Sequence, residues 1–220
     1  MIKLQNKKQQ EMDGVRKTFD EWAVNGRAEL MEIEHGKNVS EFLDEISFDK
    51  PFTFLDFGCG NGWVVRKISN QTNCKKAVGI DKSKKMIIQA KKKVANTKEI
   101  FIHTDIDSWK YRGKFNYIFS MESLYYVDSI EKTLQKIYKL LIPGGVFFCG
   151  TDFYTDNKAT ARWAGVMKIR MHLHSEKEWK KFFENAGFDV KTKHIKDLKS
   201  RKKWKREFGT LFLIGIKPVK

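Results

Sequence analysis

No window of this 220-residue sequence approaches the roughly 18 consecutive apolar residues of a membrane-crossing helix, and the opening MIKLQNKKQQEMDG lacks the apolar core of a secretory signal. Both absences lead to the expectation of a cytoplasmic protein with no membrane association. Cysteine is scarce: Cys59, Cys74 and Cys149 are an odd number without CxxC spacing, so neither a disulfide framework nor a metal site is expected. Solenoid-type repeats and low-complexity linkers are absent too. Acidic residues fall well short of basic ones, 27 against 43, leaving a net charge of +16. Such a charge attracts anionic partners, so nucleic acid is an open alternative, but lysine is spread over most of the chain and charge says nothing about fold. With 41% hydrophobic residues the chain can bury the core of one well-formed domain.

From Glu11 to about Phe48 the pattern is helical and is broken at Asn25-Gly26: Val15, Phe19 and Trp22 share one face, and Val39, Phe42, Leu43 and Ile46 another. This gives an N-terminal helical cap over 1–48. Phe52–Phe57 then reads as a strand that ends in glycines and leads into a helix through Val64, Val65 and Ile68. The unit recurs, with strands at Ala77–Ile80, Ile100–His103 and Phe115–Ser120 and a helix over Ser83–Val94. A long amphipathic helix with Ile130, Leu134, Ile137, Tyr138 and Leu141 inward is stopped by Pro143-Gly144-Gly145 before a strand at Val146–Gly150. After a pause over 151–178, Ser175-Glu-Lys-Glu has the spacing of a capping box before a helix at Trp179–Ala186. Two strands, Phe188–Ile195 and Phe208–Ile216, flank the basic stretch Lys199–Arg206, read as a solvated hairpin loop at the sheet edge. Strands alternating with helices predict an α/β, doubly wound, mostly parallel sheet over 49–220.

The chemistry concentrates in FLDFGCGNGWVVRKI, where Asp56, Gly58, Gly60 and Gly62 sit between a strand and a helix. Glycines there let backbone approach a ligand and leave amides free at the helix N-terminus. The spacing is GxGxG, with Trp63 where a dinucleotide fingerprint requires glycine, which disfavours a dehydrogenase. Asp81, closing the next strand in VGID, is placed to accept ribose hydroxyls.

From Phe52 to about Gly150 the chain resembles the class I S-adenosylmethionine-dependent methyltransferases, in their small-molecule, type 11-like branch. LDFGCGNG resembles the family's first motif, VGID its second, and HTDID, with Asp105, its adenine-contacting acid; the segment ending in Ile-Pro-Gly-Gly is similar to the family's fourth strand and following helix. The resemblance implies a seven-stranded Rossmann-like sheet, S-adenosyl-L-methionine as cofactor and a small-molecule acceptor. It places Asp56, Gly58, Cys59, Gly60, Gly62, Asp81, Lys82, Asp105, Ile106 and Ser120 around the cofactor.

Methyl transfer from a sulfonium depends mainly on holding nucleophile and methyl in line. A base is needed only for a protonated acceptor, and the candidates are Glu122, His172 and His174. The two histidines are two residues apart, hence on one side of an extended segment. Arg27, Met31 and His35 fall at four-residue steps behind Trp22 and align on one helix face. Trp22, able to face the sulfonium, and Arg27, Tyr125 and Tyr126 are the substrate-binding candidates. Ser-Met-Glu-Ser after the fourth strand, in place of an Asn/Asp-Pro-Pro-Tyr signature, argues against nucleobase amino groups and glutamine side chains as acceptors. RNA or protein methylation, and a cofactor-binding protein without transfer activity, stay open as alternatives.

Overall fold

The computed structural model describes residues 13–219. The expected start of the first helix at Glu11, and of the cap at residue 1, lie outside them. Seven strands, β1 (Phe52–Phe57), β2 (Cys74–Asp81), β3 (Glu99–His103), β4 (Phe115–Met121), β5 (Leu141–Thr151), β6 (Asp189–Ile195) and β7 (Thr210–Ile216), form one sheet in the order β3-β2-β1-β4-β5-β7-β6. The first five are parallel, and β7 runs antiparallel between β5 and β6.

Period-two alternation divides the core between the two sheet faces. Leu55, Phe57, Phe147, Cys149, Leu211 and Leu213 point to one cluster, while Phe52, Phe54, Phe148 and Phe212 point to the other. Helices α2 (Arg27–Asp44), α3 (Trp63–Ser69) and α4 (Lys84–Lys92) cover the second face. Helices α5 (Ile130–Leu140) and α7 (Glu176–Asn185) cover the first. On α5, Ile130, Leu134, Ile137 and Leu140 are all buried, each contributing about 1.5–3 kcal/mol by leaving water. Ser175 caps α7 reciprocally with Glu178, the capping box read from the sequence.

Three local expectations need correction. Leu141 opens β5 instead of closing α5; the sheet accommodates Pro143-Gly144-Gly145 through a register shift between the pairs Phe115↔Leu141 and Tyr117↔Val146. The N-terminal segment is helical over 13–22 (α1), turns at 23–26 with Gly26 in the left-handed region, and continues as α2 for 18 residues, ending before Phe48. The basic stretch joins the edge strand β6 to β7 and is mostly exposed, as expected of a hairpin connection, but it is not a plain loop. It contains helix α8 (Lys203–Glu207), held against α2 by Lys202 on the Glu34 carboxylate and by the buried Lys205 on the Glu34 carbonyl. Among the described residues no helix is long and apolar enough to cross a membrane.

Candidate active site

A cavity of about 450 Å³ opens at the carboxyl ends of β1, β2 and β4, within the usual size of small-molecule sites. Its floor is the turn between β1 and α3, where Gly58, Gly60 and Gly62 have φ of 74°, 52° and 82°. The Gly58 and Cys59 amides both donate to the Ile80 carbonyl, at 2.9 and 3.0 Å. The turn is therefore fastened to the end of β2, and the expectation of free amides fails for these two, as it does for Gly60 on Asp81 and Gly62 on the Cys59 carbonyl. A Cβ on Gly58 would lie 2.0 Å from Ser123 Oγ, and one on Gly62 2.5 Å from the Phe101 ring, so both glycines serve close packing. A Cβ on Gly60 would meet nothing within 4 Å. Gly60 is the glycine whose missing side chain leaves room in the cavity.

Asp81 fixes that position. Its Oδ2 accepts the Gly60 amide at 2.9 Å and its Oδ1 the Ser83 amide at 2.7 Å. Desolvation pushes its carboxyl up to about 6, against the downward pull of those two bonds. Asp56 is buried behind the turn, and desolvation, then the charge of Asp81, holds its carboxyl well above the usual range. Burial likewise raises the Cys59 thiol, so that group is no nucleophile. Lys82 bridges to Asp105 at 2.7 Å, and the buried Ile106 lines the cavity beside them.

The far end of the cavity belongs to Glu122, which follows β4 in the left-handed region at φ 52°, rare for a residue with a side chain. Its Oε2 accepts the Tyr125 hydroxyl at 2.7 Å and its Oε1 the Asp152 amide. Desolvation, and then the charge of Asp152, raises its pKa above the carboxylate range. His35, on α2, stands 3.3 Å from Asp152 through Nδ1 and Oδ2. Burial opposes its protonation, but the contact with Asp152 and the charge of Glu122 outweigh that and raise its pKa. One donor atom each of His35, Glu122 and Asp152 lies within 4.8 Å of the other two.

Trp22, Arg27, Tyr125 and Tyr126 all line the cavity. The Arg27 guanidinium sits over the Trp22 ring at 5.1 Å, so one face of that indole already carries a cation. Four sequence candidates stand elsewhere. Gly62, the N-cap of α3, packs against Phe101 and Ala90, and Ser120 is buried in β4, neither lining the cavity. His172 and His174 stack side by side at 6.1 Å on the far side of Tyr125: the His172 amide donates to the Tyr125 carbonyl, and its Nε2 is 2.9 Å from the Val127 carbonyl. Neither histidine borders the cavity.

The lining residue His35 was placed on the correct helix face without a role, and Asp152, buried beside it and not itself lining the cavity, had no signal beyond its position just after β5. Trp163 and Met167 on α6 (Trp163–Met167), with Lys202 and Trp204 from the α8 segment, complete the wall.

Residues 27–193 match the family model described as a methyltransferase domain, about three quarters of the chain. The chain is 29% identical over 115 residues to trans-aconitate 2-methyltransferase of Acidovorax sp. (strain JS42), covering 52% of itself and 44% of that protein, so it spans about half the length of such curated relatives. It superposes with a TM-score of 0.86 and 27% identity on a chain from the complex between the Haloferax volcanii Trm112 methyltransferase activator and a methyltransferase, over 91% of itself and 97% of that chain. At 18% identity it shares the fold, with a TM-score of 0.71, of the N-methyltransferase NodS from Bradyrhizobium japonicum WM9, solved with S-adenosyl-L-homocysteine and covered over 98% of its length, against 92% of this chain. The chain belongs to the methyltransferase-domain family, and its fold is that of the S-adenosylmethionine-dependent methyltransferases.

Proposed function

We propose that this protein transfers the methyl group of S-adenosyl-L-methionine to a small molecule enclosed between the sheet and its N-terminal cap. The observation that carries this reading is Gly60: open space stands where its Cβ would be, its amide bonds the Asp81 carboxylate, and both residues line the cavity that also takes in Glu122. A cradle a side chain would fill, beside an acid suited to ribose hydroxyls, fits the cofactor.

Asp81 would hold the ribose, Asp105 with Ile106 the adenine, and the Gly58–Gly60 turn the methionine portion, with Asp56, Cys59, Gly62 and Lys82 keeping the turn and strand ends in place. The cofactor supplies an activated methyl on a sulfonium. The protein's part is to align the acceptor and exclude water. Tyr125 orients Glu122 toward the acceptor end of the cavity, where Tyr126, Trp22 and Arg27 shape the space. Helices α1 and α2 act as a cap and the segment 151–178 as a second wall.

A concave, mainly apolar cavity of this size favours a small acceptor over a polynucleotide. Within the most basic segment Lys202 pairs with Glu34 and Lys203 with Glu207, so two of its cations are answered within the chain. The name of the Acidovorax relative, a methyltransferase of trans-aconitate, points to the same acceptor class. The likeness to the Haloferax chain supports a second element, a Trm112-type activator as protein partner, for which co-elution of the two purified proteins is the test. The activity is tested by incubating the protein with methyl-labelled S-adenosyl-L-methionine and a panel of small carboxylic acids, alcohols and amines. Transfer to a small molecule supports the reading; transfer confined to RNA or protein contradicts it.

A further inference from the structure

We propose that His35, Glu122 and Asp152 form a binding site for one divalent transition-metal ion at the acceptor end of the cavity. The three residues come from α2, the end of β4 and the segment after β5, so no spacing in the sequence announces them. Their donor atoms nevertheless converge within 4.8 Å. Asp152 is fully buried, and its Oδ2 has no hydrogen-bond partner. His35 Nδ1 stands 3.3 Å from that oxygen, long for a hydrogen bond. That separation suits two ligands of one cation, since donors on bonds of roughly 2.1 Å lie about 3.0–3.4 Å apart around a tetrahedral or octahedral ion.

The surrounding contacts are those of a supported ligand set. Asp152 Oδ1 accepts the Thr210 hydroxyl at 2.6 Å, and Thr210 in turn accepts the Asn38 amide at 2.9 Å. Glu122 is held by Tyr125 and by the Asp152 amide. Two carboxylates drawn together inside a protein require a counter-cation or protons, because uncompensated buried charge is costly. Lys205, a buried cation on α8, bonds the Glu34 carbonyl instead. One imidazole and two carboxylates, with no thiolate, form a mixed nitrogen and oxygen set that suits Mn²⁺, Fe²⁺ or Zn²⁺ better than the soft Cu⁺ ion. Use of the site in catalysis rests on the proposed function: there the cation would bind an oxygen or nitrogen of the acceptor, with Glu122 a ligand and not a base. Binding of the cation does not depend on that reading.

Protein stripped with EDTA and dialysed free of it is titrated calorimetrically with Mn²⁺ and with Zn²⁺. The expected result is one equivalent bound, with Mg²⁺ at least tenfold weaker. Glu122→Gln and His35→Leu should each weaken Mn²⁺ by at least about 100-fold, the upper end of what loss of a supporting group causes. Circular dichroism checks that the variants fold. Should neither fold, the imidazole ligand is read on the wild-type protein as ¹⁴N coupling to bound Mn²⁺. Absence of one-equivalent binding, undiminished binding in both variants, or bound Mn²⁺ without nitrogen coupling overturns the site and leaves a proton-sharing polar cluster. S-adenosyl-L-methionine titrated into the same metal-free protein separates the two claims, since cofactor binding without metal binding sinks only the metal site, and the reverse sinks only the methyltransferase reading.

Discussion

The Gly60 amide donates to Asp81 Oδ2 at 2.9 Å, tying the turn after β1 to the end of β2 across the floor of the cavity. One carboxylate thus shapes the cradle and presents its remaining lone pairs to it. Its protonation state should control cofactor binding. Affinity for S-adenosyl-L-methionine should fall as pH drops through about 6, because the ionised carboxylate is the stronger acceptor. Asp81→Asn should flatten that dependence and weaken binding by about 1.5–3 kcal/mol. Calorimetry between pH 5 and pH 8 checks both.

The same residue bears on stability with the opposite sign. Asp81's pKa is higher folded than unfolded, so the folded state keeps its proton longer. Its contribution to the stability of the cofactor-free protein is greatest below about pH 4, declines as pH rises to about 6, and is flat above. Denaturant unfolding of wild type against Asp81→Asn across that window isolates the effect; a wild-type stability that rose relative to the variant would contradict it.

Gly60 and Gly62 should separate function from packing. Gly60→Ala places its methyl in open space at φ 52°, so it should cost about 1–2 kcal/mol of stability while weakening cofactor binding at least tenfold. Gly62→Ala drives a methyl into Phe101 and should damage folding more than binding. Melting temperatures and cofactor affinities of the two variants, compared side by side, check the split.

How much of this was legible beforehand follows from the range of each signal. Period-two strands and the Ile130–Leu140 stripe are local, and their elements lie where the pattern put them. The GxGxG turn and the acid at 81 could be read because glycine and carboxylate are chemically distinctive at a strand end. The wall made by α6 and α8 could not be read, since its apolar residues are few and their destination is set by tertiary contact. Most of Lys199–Arg206 is solvent-exposed charge, as its composition indicates, but nothing local announces that Lys205 is buried against the Glu34 carbonyl. His172 and His174 stand off the cavity for the converse reason: two histidines near a cap attract attention, yet His172 is bonded to Tyr125 and Val127, and His174 packs against Trp179 and Phe182.

That placement makes a prediction of its own. His172→Asn and His174→Asn should each keep cofactor affinity and methyl-transfer rate within about twofold of wild type, the loss in His172→Asn appearing instead in stability through the Val127 contact. A transfer rate reduced a hundredfold in either variant would return the histidines to the reaction.

Lys205 clasps α8 to α2 beside the cavity. Lys205→Met keeps the apolar stem but removes the donor to the Glu34 carbonyl, and should destabilise the protein by about 1–3 kcal/mol. Because Trp204 and Lys202 line the cavity, the variant should also raise the KM for acceptor more than the Kd for cofactor. Steady-state kinetics with the acceptor found in the panel, beside calorimetry for cofactor, measures that ratio.

The central claim, that the cavity over Gly60 and Asp81 is a methyl-donor site, is tested most directly by titrating S-adenosyl-L-methionine into the purified protein in a calorimeter. The account predicts one equivalent bound with a Kd in the micromolar range, roughly −8 kcal/mol, displaced by S-adenosyl-L-homocysteine and lost in Asp81→Ala, with no heat from NAD. No binding at millimolar S-adenosyl-L-methionine, or binding untouched by Asp81→Ala, would contradict it.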